Sequence, residues 1–415
     1  MIAVDEALRR VRTLARPEAT TWLSAAAAIG RVLAQDLDSP VDLPPFDNAA
    51  MDGFALHTSG AAPARGSEWP VCGEQAAGDG ARCLEPGLAC EIMTGARIPE
   101  GANAVVPIEQ VQLLPGAIRR IRLLDDVRVG QHLRRAGEDV RVGSRALRAG
   151  EWITPAHLLV ASGLGIARLP VREQPRVAVL CTGRELVDDP LLPLAAGQIR
   201  NGNGPYLAAR VAAAGAVCVH RETVSDDADA FRAALARALA AGATIVLSTG
   251  AVSMGRYDFV PQTLAAIGAE TLVHKVAMRP GKPLLAARLA GGQAFFGLPG
   301  NPVSSAVGLR FFVEPLLRAQ LGLPDEQPWR ARLLQPARKP AGVRAWQKAR
   351  LGCDRDGRLA VTLLPGQESF RTAPLLDANA WIVLPEAVEQ FNAGELVEVY
   401  ASGHELGLIL GEVSA

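Results

Sequence analysis

Lysine is almost missing from this 415-residue chain: it occurs only at positions 275, 282, 339 and 348, and arginine carries all the other positive side-chain charge. The 43 basic residues are matched by 43 acidic ones, so no net charge recruits nucleic acid or an anionic membrane. The six cysteines contain no CxxC pair and no Cys/His zinc spacing, which leaves buried or unreactive thiols in a reducing compartment as the expectation. No N-x-S/T sequon occurs, and no apolar run approaches the ~18 residues of a membrane span. The opening MIAVDEALRRVRTLA has its acids first and its bases last, the pattern of an amphipathic helix and not of a signal peptide. A cytoplasmic protein is expected, with neither nucleic-acid nor membrane partners. No Walker sequence, HExxH or Ser/His/Asp arrangement is present to name a chemistry outright.

What is present is ordinary globular material. Hydrophobic content of 49% and a length of 415 residues imply two to four domains, each able to bury a core. Residues 4–15 read as a helix with one apolar stripe, and Leu23 to Gln35 as a second. Residues 40–140 carry Pro and Gly between short apolar runs, which predicts short strands and turns. Within them DVRVG occurs twice, at 126–130 and 139–143, and reads as two strand-turn units or as chance.

From Arg176 strands and helices alternate. RVAVLCTG (176–183), Ala216 to His220, TIVLSTG (244–250) and Ala294 to Gly297 read as strands. Gly204 to Ala214, a segment capped by Asp226 or Asp227, Phe259 to Ile267 and Val303 to Leu317 read as helices. This alternation predicts an α/β domain with a parallel sheet covered on both faces, whose ligands sit at the strands' carboxyl ends. After about residue 326, the Asp-Gly turn in 348–364 and the strands WIVLPE and LVEVYAS predict a small β-barrel.

The informative loops fall at those strand ends. RPGKP places Arg279 and Lys282 across a Pro-Gly turn, a stiff mount for two cations facing a phosphate or another oxyanion. The same five residues also suit a turn with solvated charges. GLPGNP (Pro299, Gly300, Asn301, Pro302) precedes a helix, whose first amide groups can bind an anion or simply pack. In STGAVSMGRYD, Thr249, Gly250 and Ser253 suggest a phosphate cradle, and Asp258 reads equally as a helix cap or as a carboxylate for Mg²⁺. Glu185 in CTGREL and Asp226 share that double reading. DLPPFDNAAMDGFAL (42–56) holds Asp42, Asp47 and Asp52 among Phe46, Met51 and Phe54, unusual company for a solvated loop.

Taken together, PFDNAAMDGFA, IMTGARIPEGANAVVPIEQ, RRAGEDV, LCTGREL, STGAVSMG, RPGKP and GLPGNPVSS resemble the MoeA family of molybdopterin molybdenumtransferases in sequence and in order. The resemblance implies four domains: residues 1–40 plus 141–174 as a discontinuous, elongated N-terminal domain, 41–140 as a strand-rich insertion, 175–325 as a three-layer α/β molybdopterin-binding domain, and 326–415 as a C-terminal barrel. It implies a homodimer whose active site lies between the α/β domain of one subunit and the inserted domain of the other. The implied substrates are adenylylated molybdopterin and molybdate, with Mg²⁺ assisting and molybdenum cofactor and AMP as products. Transient contact with the molybdopterin adenylyltransferase is a further implication.

By motif, Asp52, Thr94, Asp139, Glu185 and Asp258 would be catalytic, and Glu185, Asp226 and Asp258 would hold the metal. Lys275, Arg279, Lys282, the GLPGNP backbone, Thr249, Gly250 and Ser253 would bind substrate. Two residues depart from the family pattern: Arg184 stands where an acid is usual, and Ala251 where a second glycine is usual. A molybdopterin adenylyltransferase and a non-catalytic pterin carrier of the same fold are the alternatives.

Overall fold

The computed structural model describes residues 1–251, 259–405 and 411–412. They form two compact units: Met1–Thr21, Gly30–Ala34 and Pro170–Ala415 in one, Trp22–Ile29 and Gln35–Leu169 in the other. Helix α1, Val4–Arg12, opens the first unit with Asp5 and Glu6 in its first turn and three arginines in its last, each sign placed against the helix dipole. Val4, Ala7 and Val11 form its buried stripe. The expected second helix at Leu23–Gln35 does not form. One turn is made, with the Ala28 amide donating to the Ser24 carbonyl, and the chain then reverses at Gly30 (φ +75°), a backbone angle that ends a right-handed helix. Beyond it Leu33 pairs with Val171 in extended form.

The second unit is built on a six-stranded sheet of β1 (Gly53–Leu56), β2 (Glu68–Gln75), β3 (Ala89–Ile92), β4 (Ala104–Pro107), β5 (Val111–Leu114) and β6 (Arg120–Leu123). Their order is β4-β1-β3-β2-β6-β5. Phe54, Leu56, Val106 and Ile121 pack in one apolar cluster, and Ala55, Ile92 and Val105 in another, so β1 and β4, buried on both faces, are apolar without a break. The two DVRVG segments are not strands: both lie outside the sheet and end in turns.

In the first unit, β7 (Arg176–Thr182), α2 (Asn203–Ala213), β8 (Val217–Val224), α3 (Ala228–Ala240), β9 (Ile245–Thr249), α4 (Val260–Ala266), β10 (Glu270–His274), β11 (Leu285–Arg288) and β12 (Ala294–Leu298) make the α/β domain. The sheet order is β8-β7-β9-β12-β11-β10. The first four strands are parallel, as expected; β11 runs antiparallel to both its neighbours, β12 and β10, and corrects that reading. The reason is length, since β11 and β12 are joined by a turn closed by the Leu289 amide on Gln293, far short of the dozen residues a parallel crossover needs. Phe231, Leu235, Val260 and Leu264 cover one face, and Leu207, Val211, Val303 and Val307 the other.

The last helix runs as α5 (Pro302–Gly308), a π turn over Leu309–Val313, and α6 (Glu314–Leu321). Then β13 (Trp329–Leu333), β14 (Arg344–Cys353), β15 (Leu359–Leu363), β16 (Ala380–Leu384) and β17 (Leu396–Ala401) close a five-stranded barrel in the order β14-β15-β13-β17-β16, with β16 returning to β14. Only Cys90 and Cys181 of the six thiols are fully buried; Cys72, Cys83 and Cys353 are exposed. Among the described residues no helix is long and apolar enough to cross a membrane.

Just beyond β17, His404 is buried. Desolvation, then the charge of Arg318, pushes its pKa down to about 3. The unfolded chain therefore binds a proton that the folded chain refuses between pH 6.5 and 3, so stability falls as pH falls through that window. We expect a slope of up to about 1.4 kcal/mol per pH unit from this one group. Urea unfolding at pH 7 and pH 5 checks it: the pH dependence should shrink in His404→Gln, and an unchanged slope would refute the assignment.

Candidate active site

Register decides which loops meet. Cys181 pairs with Thr249, and Thr249 with Leu298, so CTGREL, STGA and GLPGNP leave adjacent strands side by side at their carboxyl ends. The Thr182 hydroxyl donates to the Thr249 carbonyl at 3.0 Å, and the Gly250 amide to the Leu298 carbonyl at 3.1 Å. At Gly250 φ is +88°, and a Cβ there would lie 2.7 Å from the Thr182 hydroxyl and 2.9 Å from its carbonyl oxygen. Only glycine fits. Ala251 follows at φ +52°, in the left-handed region that L residues other than Asn and Asp avoid.

The two positions therefore predict opposite results. Gly250→Ala should cost about 2–3 kcal/mol through strain and overlap. Ala251→Gly should leave stability equal or higher by up to about 1 kcal/mol, because strain of ~1–2 kcal/mol is exchanged for backbone entropy of ~0.5–1 kcal/mol. Denaturant midpoints check both, and a stabilised Gly250→Ala would contradict the packing.

The acids separate by role. Asp227 caps α3, its carboxylate accepting from the amides of Asp229 (3.0 Å) and Ala230 (2.8 Å). Asp226 is exposed and, among the described residues, accepts only the Arg184 amide, at 3.3 Å. Arg184 thus contributes its backbone here, which any residue supplies. Glu185 is half-buried, and its carboxylate has no hydrogen-bond partner among the described residues, although its carbonyl accepts from Ile199. Ser253 and Asp258 lie outside the described residues. Two carboxylates with oxygens unpaired among the described residues fit the Mg²⁺ mode that uses one or two carboxylates and completes its shell with phosphate and water. No set of three His, Cys, Asp or Glu side chains gathers for a metal among the described residues.

Arg279 and Lys282 are exposed on the RPGKP loop, which turns through a cis Arg279–Pro280 bond. They line a cleft of about 900 Å³ whose opposite wall comes from the barrel, including Arg338, Gln367, Glu368 and Ser369. Lys275 is half-buried beside this loop, its amide bonded to Leu284, and it does not line the cleft. The GLPGNP helix start is less open than its sequence suggests. The Val303 amide donates to the Ser369 carbonyl at 3.0 Å, the Asn301 side chain donates to the Ser369 hydroxyl at 3.0 Å, and Ser305 donates its hydroxyl to Pro299. The barrel thus takes the Val303 amide, one of those an anion would use; Gly300 also offers its carbonyl to the Asn203 side chain at 2.8 Å. Sequence reading missed Asn203, Arg338 and Ser369. The run Asn201-Gly-Asn203-Gly at the start of α2 is the available hint for the first, and nothing local marks the other two.

In the second unit three motifs converge. Asn48–Ala49 pairs with Leu133–Arg134, and the Gly95 amide donates to the Ala49 carbonyl, so PFDNAAMDG, MTGAR and RRAGED lie together. Asp52 is exposed; one of its oxygens accepts from the Thr94 amide (2.6 Å) and hydroxyl (2.7 Å). Those two donors hold its carboxyl below the usual range and keep it ionised. Asp47 instead bonds Arg135 (2.6 Å) and the Ala136 amide (2.8 Å), tying the motifs to one another. Asp139 is exposed, with its amide on the Leu43 carbonyl and no side-chain partner among the described residues.

Comparison with known proteins places these features in a common frame. Residues 2–165 match the MoeA N-terminal region (domain I and II), 178–319 a probable molybdopterin binding domain, and 330–401 the MoeA C-terminal region (domain IV). A molybdopterin molybdenumtransferase of Synechococcus elongatus is 39% identical over 375 residues, covering 89% of this chain and 91% of that protein. Molybdopterin molybdenumtransferase 2 of Mycobacterium tuberculosis is 37% identical over 411 residues, covering 96% and 99%. A crystal structure of the molybdopterin biosynthesis moeA protein from Pyrococcus horikoshii OT3 superposes with a TM-score of 0.82 at 29% identity, covering 96% of this chain and 99% of that one.

Proposed function

This chain belongs to the MoeA family, and from that membership we propose that it inserts molybdenum from molybdate into adenylylated molybdopterin, releasing molybdenum cofactor and AMP. The names of its relatives support a transferase of molybdenum cofactor biosynthesis. The observation that carries the finer reading is the cleft in which Arg279 and Lys282 stand opposite Arg338 and Ser369. Both molybdate and a nucleotide phosphate are oxyanions, and a cleft lined by exposed cations and a hydroxyl suits either.

In this reading Arg279 and Lys282 bind and orient the oxyanion, and the tight Thr182–Gly250–Leu298 turn holds the loops that surround it. Glu185 and Asp226, with Asp258, would hold Mg²⁺, which when bound neutralises phosphate charge. Asp52 stays ionised at neutral pH and accepts the proton of the water that cleaves the adenylate; Thr94 fixes its orientation and Asp139 supports it. Asp52, Thr94 and Asp139 belong to one compact unit, and Glu185, Asp226, Arg279 and Lys282 to the other; the homodimer of this reading lets Asp52 of one copy serve the cleft of another. The division into 1–40 plus 141–174, 41–140, 175–325 and 326–415, a cytoplasmic location, and transient transfer of substrate from the molybdopterin adenylyltransferase belong to the same proposal.

The test is AMP release from purified protein loaded with adenylylated molybdopterin. Release should require added molybdate and fall by about 10²-fold or more in Glu185→Gln. Adenylylation of molybdopterin from ATP by the protein alone would establish an adenylyltransferase instead. Molybdate-independent behaviour, identical in the variant, would establish a carrier.

A further inference from the structure

Of the four lysines, one is wholly inside the protein. Lys348 on β14 is 0% exposed, and burial pushes its ammonium below the ordinary lysine range. No carboxylate forms an ion pair with it among the described residues; its Nζ donates to the Arg371 carbonyl at 3.0 Å. A buried ammonium is costly wherever a methyl-capped chain would pack as well, so its position calls for a purpose.

That position is the root of one loop. The Lys348 amide donates to the Gln367 side-chain oxygen at 2.9 Å, and the Gln367 side-chain amide donates back to the Lys348 carbonyl and to the Leu364 carbonyl, both at 2.8 Å. The Leu364 amide also donates to the Lys348 carbonyl, at 3.1 Å. Gln367 thus acts as a side-chain strand partner for Lys348. The loop from Leu364 to Arg371 is fastened at its start, its middle and its end to a single residue. From the fastened loop Gln367, Glu368, Ser369 and Phe370 face the cleft that holds Arg279 and Lys282. Ser369 alone takes the Val303 amide and the Asn301 side chain, and so joins the loop to the start of α5.

We propose that Lys348 and Gln367 are positioning residues for the oxyanion cleft: they hold the 364–371 loop so that Ser369 stands opposite the RPGKP cations and braces the GLPGNP turn. The inference rests on the cleft being the substrate site. Neither residue touches the substrate; both act through the loop.

Two variants of the full-length protein test it, Lys348→Met and Gln367→Leu. Replacing a buried charge by an apolar chain of similar length is often neutral for global stability, so the melting temperature of Lys348→Met should stay within about 4 °C of the parent. Amide exchange in 366–371 should rise at least about tenfold in both variants, because the local opening becomes easier while the barrel strands keep their protection. The KM for molybdate should rise about tenfold with kcat within about twofold, the signature of lost binding and not of lost chemistry.

Parental exchange in 366–371 in both variants would overturn the proposal, as would equal loss of KM and kcat with barrel-wide exchange. Should Lys348→Met fail to fold, Gln367→Leu alone decides by the same readings. Exchange is measured without substrate, so a parent protein inactive with molybdate would refute the proposed reaction while the loop clamp is still judged.

Discussion

Mixed dimers made by co-expressing an Asp52→Asn chain with an Arg279→Ala/Lys282→Ala chain are expected to recover about a quarter of parental activity, from two partners that are each nearly inactive. Asp52→Asn is a conservative change locally: the asparagine oxygen can still accept the Thr94 amide and hydroxyl that hold Asp52 at 2.6 and 2.7 Å. What it loses is the charge and the ability to take a proton, a loss of about 10²–10⁴-fold in kcat where a carboxylate is the general base. The double cation variant loses the two side chains that RPGKP presents to the cleft, and its defect should appear mainly in KM for molybdate.

If each site draws its acid from one copy and its cations from the other, half the dimers are mixed, and each mixed dimer carries one complete site and one doubly defective site. AMP release from the co-purified mixture, set against each variant alone, measures this. Activity no higher than the average of the two variants would mean that a single chain supplies both halves, and the intersubunit reading would fail. Thr94→Val should give a smaller defect than Asp52→Asn, since the Thr94 amide remains to hold the carboxylate.

The reading of the sequence succeeded where the signal is local. The strand runs ending in CTG and STG are apolar and short, the caps and turn residues stand beside them, and parallel register then brings their loops together without further instruction. Asp227 shows the same thing on a small scale: a carboxylate two or three residues before free helix amides is a cap by geometry, and this leaves Asp226 as the acid not engaged in capping. The failures share a cause too. Ser369 reaches Val303 across 66 positions of sequence, and Arg338 reaches the RPGKP cleft by way of the closed barrel, so no local pattern announces either. The helix expected at Leu23–Gln35 is overridden by the turn at Gly30 and the extended pairing at Leu33, since local helix preference yields to tertiary pairing. The antiparallel edge β11–β10 was hidden because periodicity identifies strands without giving their direction.

A second effect of large size concerns stability, and no sequence motif hinted at it. Glu314→Ala should lose about 3–5 kcal/mol, the cost of breaking a buried ion pair by removing one partner. Glu314 is 0% exposed at the start of α6. One of its oxygens accepts from Arg210 of α2 at 2.8 Å, and the other from the His404 amide at 3.1 Å, with Arg310 at 3.5 Å. Arg210 is also clasped by Glu405, and Arg310 by Glu326. One carboxylate therefore joins the helix after β7, the long helix before the barrel, and the chain leaving β17. Without it, two guanidinium groups with little access to water share too little negative charge, and the His404 amide loses its acceptor.

Glu314→Gln keeps an acceptor in place while losing the charge, so it should cost less, about 1–3 kcal/mol. Urea titration gives both values, and the slope with denaturant should hold constant if the folded state is otherwise intact. A loss below about 1 kcal/mol in Glu314→Ala would show that the arginines are satisfied by Glu405 and Glu326 alone. The double variant Glu314→Leu/Arg210→Met separates pairing from packing. Because replacing both members of a buried pair by apolar groups is often close to neutral, it should recover most of what Glu314→Ala loses. A double variant as unstable as the single one would place the cost in the His404 amide and Arg310, whose contacts with Glu314 it does not restore.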